Sequence, residues 1–331
     1  MTAPKVSLCV PTFNRAAQLQ LMLSRLLEAI DGHPLRDRFE ILVSDNHSTD
    51  NTADVVQRLL AQFPKIGSGF QRQPANAGFA GNFAAVARMA TSHCFVIIAD
   101  DDELEVGALD LLLAGAELIT PTAPLALFDS LPGGDAVIRK MSRPVERAVI
   151  AGPDDLLRKF GVFHASFVSN LMFHREAALA KLTPAMLQSR YPHTALALTM
   201  LCDAPATFLP GRLVSVTLPA DAGDQPLLTC VDMARVMNEY ALNDARCRGL
   251  AWRVDSFLLR MLPTAICQQR RGICQGDAGN PHADLRLSNV RQCYRHSRLA
   301  QFSATILWLT ARVLPLSLLG ALLRRFSRHP R

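Results

Sequence analysis

The stretch CFVIIADDDELEVGAL, residues 94–109, sets the reading of the whole chain. Cys94 to Ala99 is a short, strongly apolar run with the length of a buried strand. Four acids, Asp100 to Glu103, follow it without a break. Carboxylates held side by side repel, so a fold that gathers them must gain something in return. One gain is a divalent cation: oxygen ligands suit Mg2+ or Mn2+, and the metal would bridge the phosphates of a nucleotide. The other is the dipole of a helix beginning near Glu105, whose N-terminus favours negative charge.

Upstream, strand and helix patterns alternate. Lys5 to Val10 (KVSLCV) is an apolar run stopped by Pro11, and Phe39 to Val43 (FEILV) is a second, stopped at Ser44-Asp45-Asn46. Between them, Leu19, Met22, Leu23, Leu26, Leu27 and Ile30 fall at helical spacing. A further helix opens at Thr49-Asp50 with Ser48 or Asp50 as cap, Phe70 to Gln73 is a short strand, and Asn76 to Ala90 is a helix entered through glycine. Four strand–helix alternations in about 100 residues predict an α/β fold with a doubly wound, mostly parallel sheet. Ligands of such sheets sit beyond the carboxyl ends of the strands. The residues to weigh are therefore Pro11-Thr12-Phe13-Asn14-Arg15, Ser44-Asp45-Asn46 and the acidic run.

An acid directly after a strand, as Asp45 is, can accept a hydrogen bond from a base or ribose, or simply belong to an ordinary Asx turn. In Asn76-Ala77-Gly78-Phe79-Ala80-Gly81-Asn82, the glycines allow close approach of a ligand or tight packing on the sheet. No Gly-x-Gly-x-x-Gly follows the first strand and no Gly-x-x-x-x-Gly-Lys-Ser/Thr exists, which disfavours a nicotinamide site and a phosphate-cradling loop of that type.

Past residue 130 the pattern loosens. Ser130 to Asp155 reads as a loop or short hairpin, Phe163 to Phe173 as strand, Thr194 to Leu201 as helix, Val231 to Gln269 as helix throughout, and Gly272 to His282 as loop. With 49% hydrophobic and 19% charged residues the chain is globular, which excludes general disorder. Eight cysteines without a Cys-x-x-Cys pair argue against a zinc cage or disulfide scaffold and for thiols in a reducing cytoplasm. The N-terminus lacks the long apolar core expected of a signal peptide.

The net charge of +6 is concentrated in the tail: residues 285–331 hold nine arginines and no acid, leaving −3 for the remainder. A basic tail joined to an apolar run points to an anionic membrane surface and away from nucleic acid. Phe302 to Leu323 is long enough to span a bilayer, but Arg312 and Pro315 interrupt it. Its polar residues fall on two nearly opposite stripes, so it is not cleanly amphipathic. Two short helices are expected, docked on a membrane surface or packed against the catalytic domain or a second subunit; a true span is the third reading. The oligomeric state is not legible.

The segments VSLCVPTFNRA, FEILVSDNHSTDNT, NAGFAGNFAAV and FVIIADDDELEVGAL, in this order, resemble the family 2 glycosyltransferases with the GT-A fold. FVSNLMFHREA and YPHTALALTML more loosely resemble the abequosyltransferase-like branch. The resemblance implies a GT-A catalytic domain over residues 1–215 with a helical extension over 216–331. It also implies inverting transfer from a nucleotide-diphosphosugar to a lipid-linked or polysaccharide acceptor in bacterial surface-polysaccharide synthesis, with Mn2+ or Mg2+. By position, Pro11, Thr12, Asn14 and Arg15 line the nucleotide cleft and Asp45 contacts the base. Asp100 and Asp102 form the acidic motif for ribose and metal, with Asp101, Gly78 and Asn82 beside them.

Two positions depart from the family pattern: Asn46 replaces the second aspartate after the second strand, and Pro192-His193 replaces the Glu-Asp pair that supplies the general base. His193 is then either the base or a helix cap lining the cleft, with Asp221 and Asp224 as alternatives. A sugar nucleotidyltransferase would show a Gly-rich Arg-Lys loop where PTFNRA stands; a non-catalytic nucleotide-sugar-binding assembly module is the rival of another class. The reading as a whole expects an enzyme peripheral to the cytoplasmic face of the inner membrane.

Overall fold

The computed structural model describes residues 6–129, 146–216, 232–270, 287–295 and 297–319. The chain divides into two compact units, Met1–Leu218 and Pro219–Arg331.

In the first unit, β1 (Val6–Thr12), β2 (Phe39–Asp45), β3 (Gly67–Arg72) and β4 (Cys94–Ile97) form the parallel half of an eight-stranded sheet. The strand order is β3-β2-β1-β4-β8-β6-β9-β7, where β6 is Leu125–Asp129, β7 Ala148–Ile150, β8 Leu171–His174 and β9 Ala206–Arg212. Strand β8 runs antiparallel to both β4 and β6, while β9 returns parallel to β6. On one face, Val6, Leu8 and Val10 of β1 join α1 (Ala16–Asp31), α2 (Thr52–Gln62) and α4 (Ala108–Leu118) in one core. Helix α3 (Gly78–Met89) packs against β1, β2 and β4 and buries Phe83, Ala84, Val86 and Ala87. Alternate residues of β1 face opposite sides of the sheet, which is why its whole length is buried.

Part of the acidic run is itself extended: Asp102–Leu104 forms β5, paired antiparallel with β10 (Val214–Val216) in a small second sheet. Residues 163–173 are not one strand: His164–Ser166 and Val168–Asn170 are 3-10 turns and only Leu171–His174 is extended. The reason is local. Ser166 Oγ donates to the Phe163 carbonyl at 2.7 Å and Asn170 Nδ2 to the His164 carbonyl at 3.1 Å, which turns the backbone away from a ladder. Of the loop or short hairpin expected over Ser130 to Asp155, residues 130–145 lie outside the described residues and the rest holds β7 and the start of α5 (Pro153–Lys159). Helices α6 (Arg175–Lys181) and α7 (Pro192–Asp203) complete the unit.

In the second unit the expected continuous helix is broken by a π turn at Met237–Ala241 and a 3-10 turn at Ala245–Leu250 before α8 (Ala251–Leu259) and α9 (Leu262–Arg270). Helix α10 (Leu287–Cys293) and α11 (Arg298–Val313) follow, and α11 packs against α8, α9 and α10. Arg270 Nη1 donates to the Ala311 and Leu314 carbonyls at 2.6 Å, satisfying the C-terminus of α11 just before Pro315. In the tail, α11 starts at Arg298, ahead of the expected Phe302, and residues 316–319 form a short helical turn after Pro315. Among the described residues no helix is long and apolar enough to cross a membrane. The loop acids Asp221 and Asp224, the loop over 272–282 and residues 320–331 lie outside the described residues.

Candidate active site

The carboxyl ends of β1, β2 and β4 bring the expected segments together. Pro11 and Thr12 close β1 in register with Ser44 and Asp45 of β2. Thr12 Oγ1 donates to Asp100 Oδ2 at 2.8 Å, and Arg15 Nη1 reaches Asp100 Oδ1 at 3.2 Å and Asp101 Oδ2 at 2.5 Å. Burial works against the guanidinium charge, but the two carboxylates outweigh it and hold Arg15 above its ordinary pKa. Asn14 turns the chain between these contacts in the left-handed region, φ 52°. Its amide donates to Ser48 Oγ at 2.8 Å, and its Oδ1 accepts from the Thr49 amide at 2.7 Å. Asp50 joins two helices: Oδ1 accepts from the Thr52 amide and Oδ2 from the Ala16 amide, both at 3.1 Å.

Within the acidic run, burial is the main cause that pushes both Asp100 and Asp102 up to about 6, against the hydrogen bonds that Thr12 and Ser169 supply. Glu103 points elsewhere, to Arg25 at 2.5 Å. Ser169 was not singled out in the sequence. Its hydroxyl donates to Asp102 Oδ2 and accepts from the Ala99 amide at 3.2 Å, tying both sides of the acidic turn to the 3-10 segment. Two buried carboxylates with a single nearby guanidinium leave net negative charge in a desolvated place. That donor set suits a hard divalent cation, which takes one or two protein carboxylates and completes its shell with phosphate oxygens. Among the described residues no cluster of three or more His, Cys, Asp or Glu would hold a metal by protein ligands alone.

Asp45 is fully buried. Its Oδ1 accepts from the Ser48 amide at 2.9 Å, while Oδ2 has no hydrogen-bond partner and lies 3.5 Å from Arg72 Nε. Arg72 is half-exposed and anchored by Nη2 on the Ser48 carbonyl at 2.6 Å. Asn46 explains its own departure from the family pattern. Its Nδ2 donates to Asn76 Oδ1 at 2.8 Å and to the Gly78 carbonyl at 3.2 Å, and its Oδ1 accepts from the Ala77 amide at 2.9 Å. An aspartate has no proton for the first two bonds.

Gly78 and Asn82 serve the frame around the cleft. A Cβ on Gly78 would meet open space, so its glycine answers to the backbone, φ 70°, while Gly81 is the closely packed one, 2.5 Å from Ala77 Cβ. Asn82 Nδ2 donates to the Thr12 and Ser44 carbonyls at 3.2 and 2.9 Å, and Oδ1 accepts from Ser44 Oγ at 2.6 Å. Asn82→Ala removes three buried hydrogen bonds, although the Thr12 carbonyl keeps its bond from the Asn46 amide and Ser44 Oγ keeps Gln73 Nε2, and is expected to cost about 1–3 kcal/mol. Denaturant unfolding checks this, and a loss under about 0.5 kcal/mol would show that the two strand ends hold without it.

His193 lies at the start of α7, as expected, but is 3% exposed. Its Nε2 donates to the Ser166 carbonyl at 2.8 Å, and Nδ1 is buried without a partner. Phe79, Phe83 and Tyr191 surround the ring at 6.0–6.3 Å between centroids. Burial pulls its pKa down to about 4. One nitrogen is therefore bonded and the other is sealed among aromatic rings. Beside it, Thr194 Oγ1 donates to the Ala165 carbonyl at 2.8 Å, so the N-terminus of α7 pins the segment that carries Ser169.

The sequence matches the family described as Glycosyl transferase family 2 over residues 7–179. It is 37% identical over 113 residues to the GalNAc(5)-diNAcBac-PP-undecaprenol beta-1,3-glucosyltransferase of Campylobacter jejuni, covering 34% of this chain and 35% of that one. It is 33% identical over 113 residues to the abequosyltransferase RfbV of Salmonella typhimurium, covering 32% and 31%. The matches thus span about a third of each curated relative. The fold is shared with the mannosyltransferase PcManGT of Pyrobaculum calidifontis, solved in complex with GDP-Man and Mn2+, at TM-score 0.58 and 17% identity over 99% of this chain and 89% of that one. More than half of the chain fits the family's pattern, including both strand ends that meet the acidic run, and the chain belongs to glycosyl transferase family 2.

Proposed function

We propose that the protein moves one sugar, with inversion, from a nucleoside-diphosphate donor to a hydroxyl of a lipid-linked or polysaccharide acceptor, at the cytoplasmic face of a bacterial inner membrane. The observation that carries this reading is the acidic run at the carboxyl ends of β1 and β4, where Thr12 and Arg15 meet Asp100, Arg15 also meets Asp101, and Ser169 holds Asp102. The relatives support it by name: one is a glucosyltransferase whose named acceptor is undecaprenol-linked, the other an abequosyltransferase.

Asp100 and Asp102 would hold Mn2+ or Mg2+. A cation held there would supply positive charge to offset the negative charge developing on the departing diphosphate. Thr12 and Ser169 orient these two carboxylates, and Arg15 adds positive charge beside them for the phosphates. Pro11 and Asn14 shape the turn that carries Arg15, and the unpartnered Asp45 Oδ2 accepts from the base edge once Arg72 yields. Gly78 and Asn82 set the loop and strand ends around the cleft.

Inversion in one step needs a base for the acceptor's proton. We assign His193 a positioning role through Ser166, and place Asp221 and Asp224 as the candidates for the base.

A panel of nucleotide sugars with the full chain, each scanned by thermal shift with and without Mn2+, tests donor binding. A saturating donor at 100 times its dissociation constant adds about 2.7 kcal/mol. One nucleoside diphosphate sugar should stabilise strongly only with the metal. Stabilisation by none of the panel would remove the reading.

A further inference from the structure

Helix α11 is turned inside out relative to an ordinary surface helix. Its small residues, Ala300, Ala304 and Ala311, are buried, whereas Leu299, Phe302, Ile306, Leu309 and Val313 are exposed, Phe302 at 64% and Val313 at 79%. These five recur at alternating spacings of three and four, so they fall on one side of the helix as a continuous apolar stripe about 21 Å long. The two polar stripes expected from the sequence are therefore only its borders: Ser303 and Thr310 on one flank, Arg298, Gln301, Thr305 and Arg312 on the other. Single exposed apolar residues need no explanation, but a contiguous stripe marks a surface that something covers.

The surrounding charge says what kind of surface. Arg291 of α10, Arg295 of the turn after it, and Arg298 and Arg312 of α11 are exposed, and residues 285–331 hold nine arginines without one acid. Arg312, on the second flank, lies over the Trp308 ring, 5.3 Å from its centroid. A second copy of this helix would bring like charges together with no acid to answer them. An occupant that is apolar inside and negative outside answers both features. We propose that α11 lies flat in the interface of an anionic lipid bilayer, with Leu299, Phe302, Ile306, Leu309 and Val313 inserted and the flanking arginines on the headgroups. The helix attaches without spanning, in keeping with its 16 residues. The inference rests on α11 alone and stands apart from sugar transfer.

The test floats the full-length protein with vesicles of phosphatidylcholine, or of phosphatidylcholine with about one third phosphatidylglycerol. The wild type should partition to the anionic vesicles only, and progressively less as salt rises. The Phe302→Glu/Leu309→Glu variant should lose about tenfold or more of that partition with its helical content and solution mass unchanged. If that variant does not fold, Arg291→Gln/Arg295→Gln/Arg298→Gln should remove the preference for anionic lipid. Equal binding to both vesicles, or unaltered partition of a folded variant, would overturn the proposal. So would a wild-type dimer that the double variant dissolves, which would put a second copy on the stripe. Nucleotide-sugar stabilisation measured in parallel reports on donor binding independently of either result.

Discussion

Asp102→Asn should lower sugar transfer by about 10³-fold or more while the protein stays folded. The exchange keeps the shape of the side chain and its place in β5 but removes one of the two buried carboxylates proposed to hold the metal. Ser169 Oγ can still donate to the amide oxygen of the new residue, so the 3-10 segment keeps its anchor. Stability should be unchanged or slightly higher, because burial already disfavours the charged carboxylate at this position. Initial rates with Mn2+ at saturating donor, alongside a thermal melt, separate the two effects. Wild-type turnover in a folded variant would show that Asp102 is not a metal ligand.

His193→Ala has its largest expected effect on folding. It opens a cavity among Phe79, Phe83 and Tyr191 and frees the Ser166 carbonyl, which together should cost about 2–4 kcal/mol. The wild-type histidine also gives a pH signature. Its folded pKa of about 4 lies below the unfolded value of about 6.5, so the neutral ring belongs to the folded state. The stability that it contributes is complete above pH 6.5 and is lost as the pH falls toward 4. Between those limits the wild type should lose stability faster than the variant. Turnover, measured below the variant's melting range, should fall less than about tenfold, with the acidic limb of the pH–rate profile kept. A loss of 10²–10⁴-fold together with disappearance of that limb would restore His193 as the base.

The parallel half of the fold was legible because each strand there is a short apolar run ended by a turn residue, and each helix shows its apolar spacing. The cleft residues could be found because the carboxyl ends of such strands are fixed by topology alone. Asp100 and Thr12 are 88 residues apart yet meet for that reason. What stayed hidden depends on contacts that leave no period. Ser169 reaches Asp102 across 67 residues from a turn that reads as strand, since Phe163 to Phe173 is apolar enough for either. Asn46 reads as a lost acid until its two donor bonds to the Asn76–Gly78 loop are seen. The burial of His193 depends on rings from α3, which position along the chain cannot reveal. The tail misleads for a similar reason: with alanines facing inward, the large apolar side chains are left on the outside.

The most direct test is release of nucleoside diphosphate by the purified protein, with the donor chosen by thermal shift and a short undecaprenol-linked glycan as acceptor. The account predicts release coupled to a glycosylated product, dependent on Mn2+ or Mg2+, abolished by chelation, and absent in Asp102→Asn. Release that persists in Asp102→Asn and in chelator, or a donor that binds and is never consumed with any acceptor offered, would contradict it.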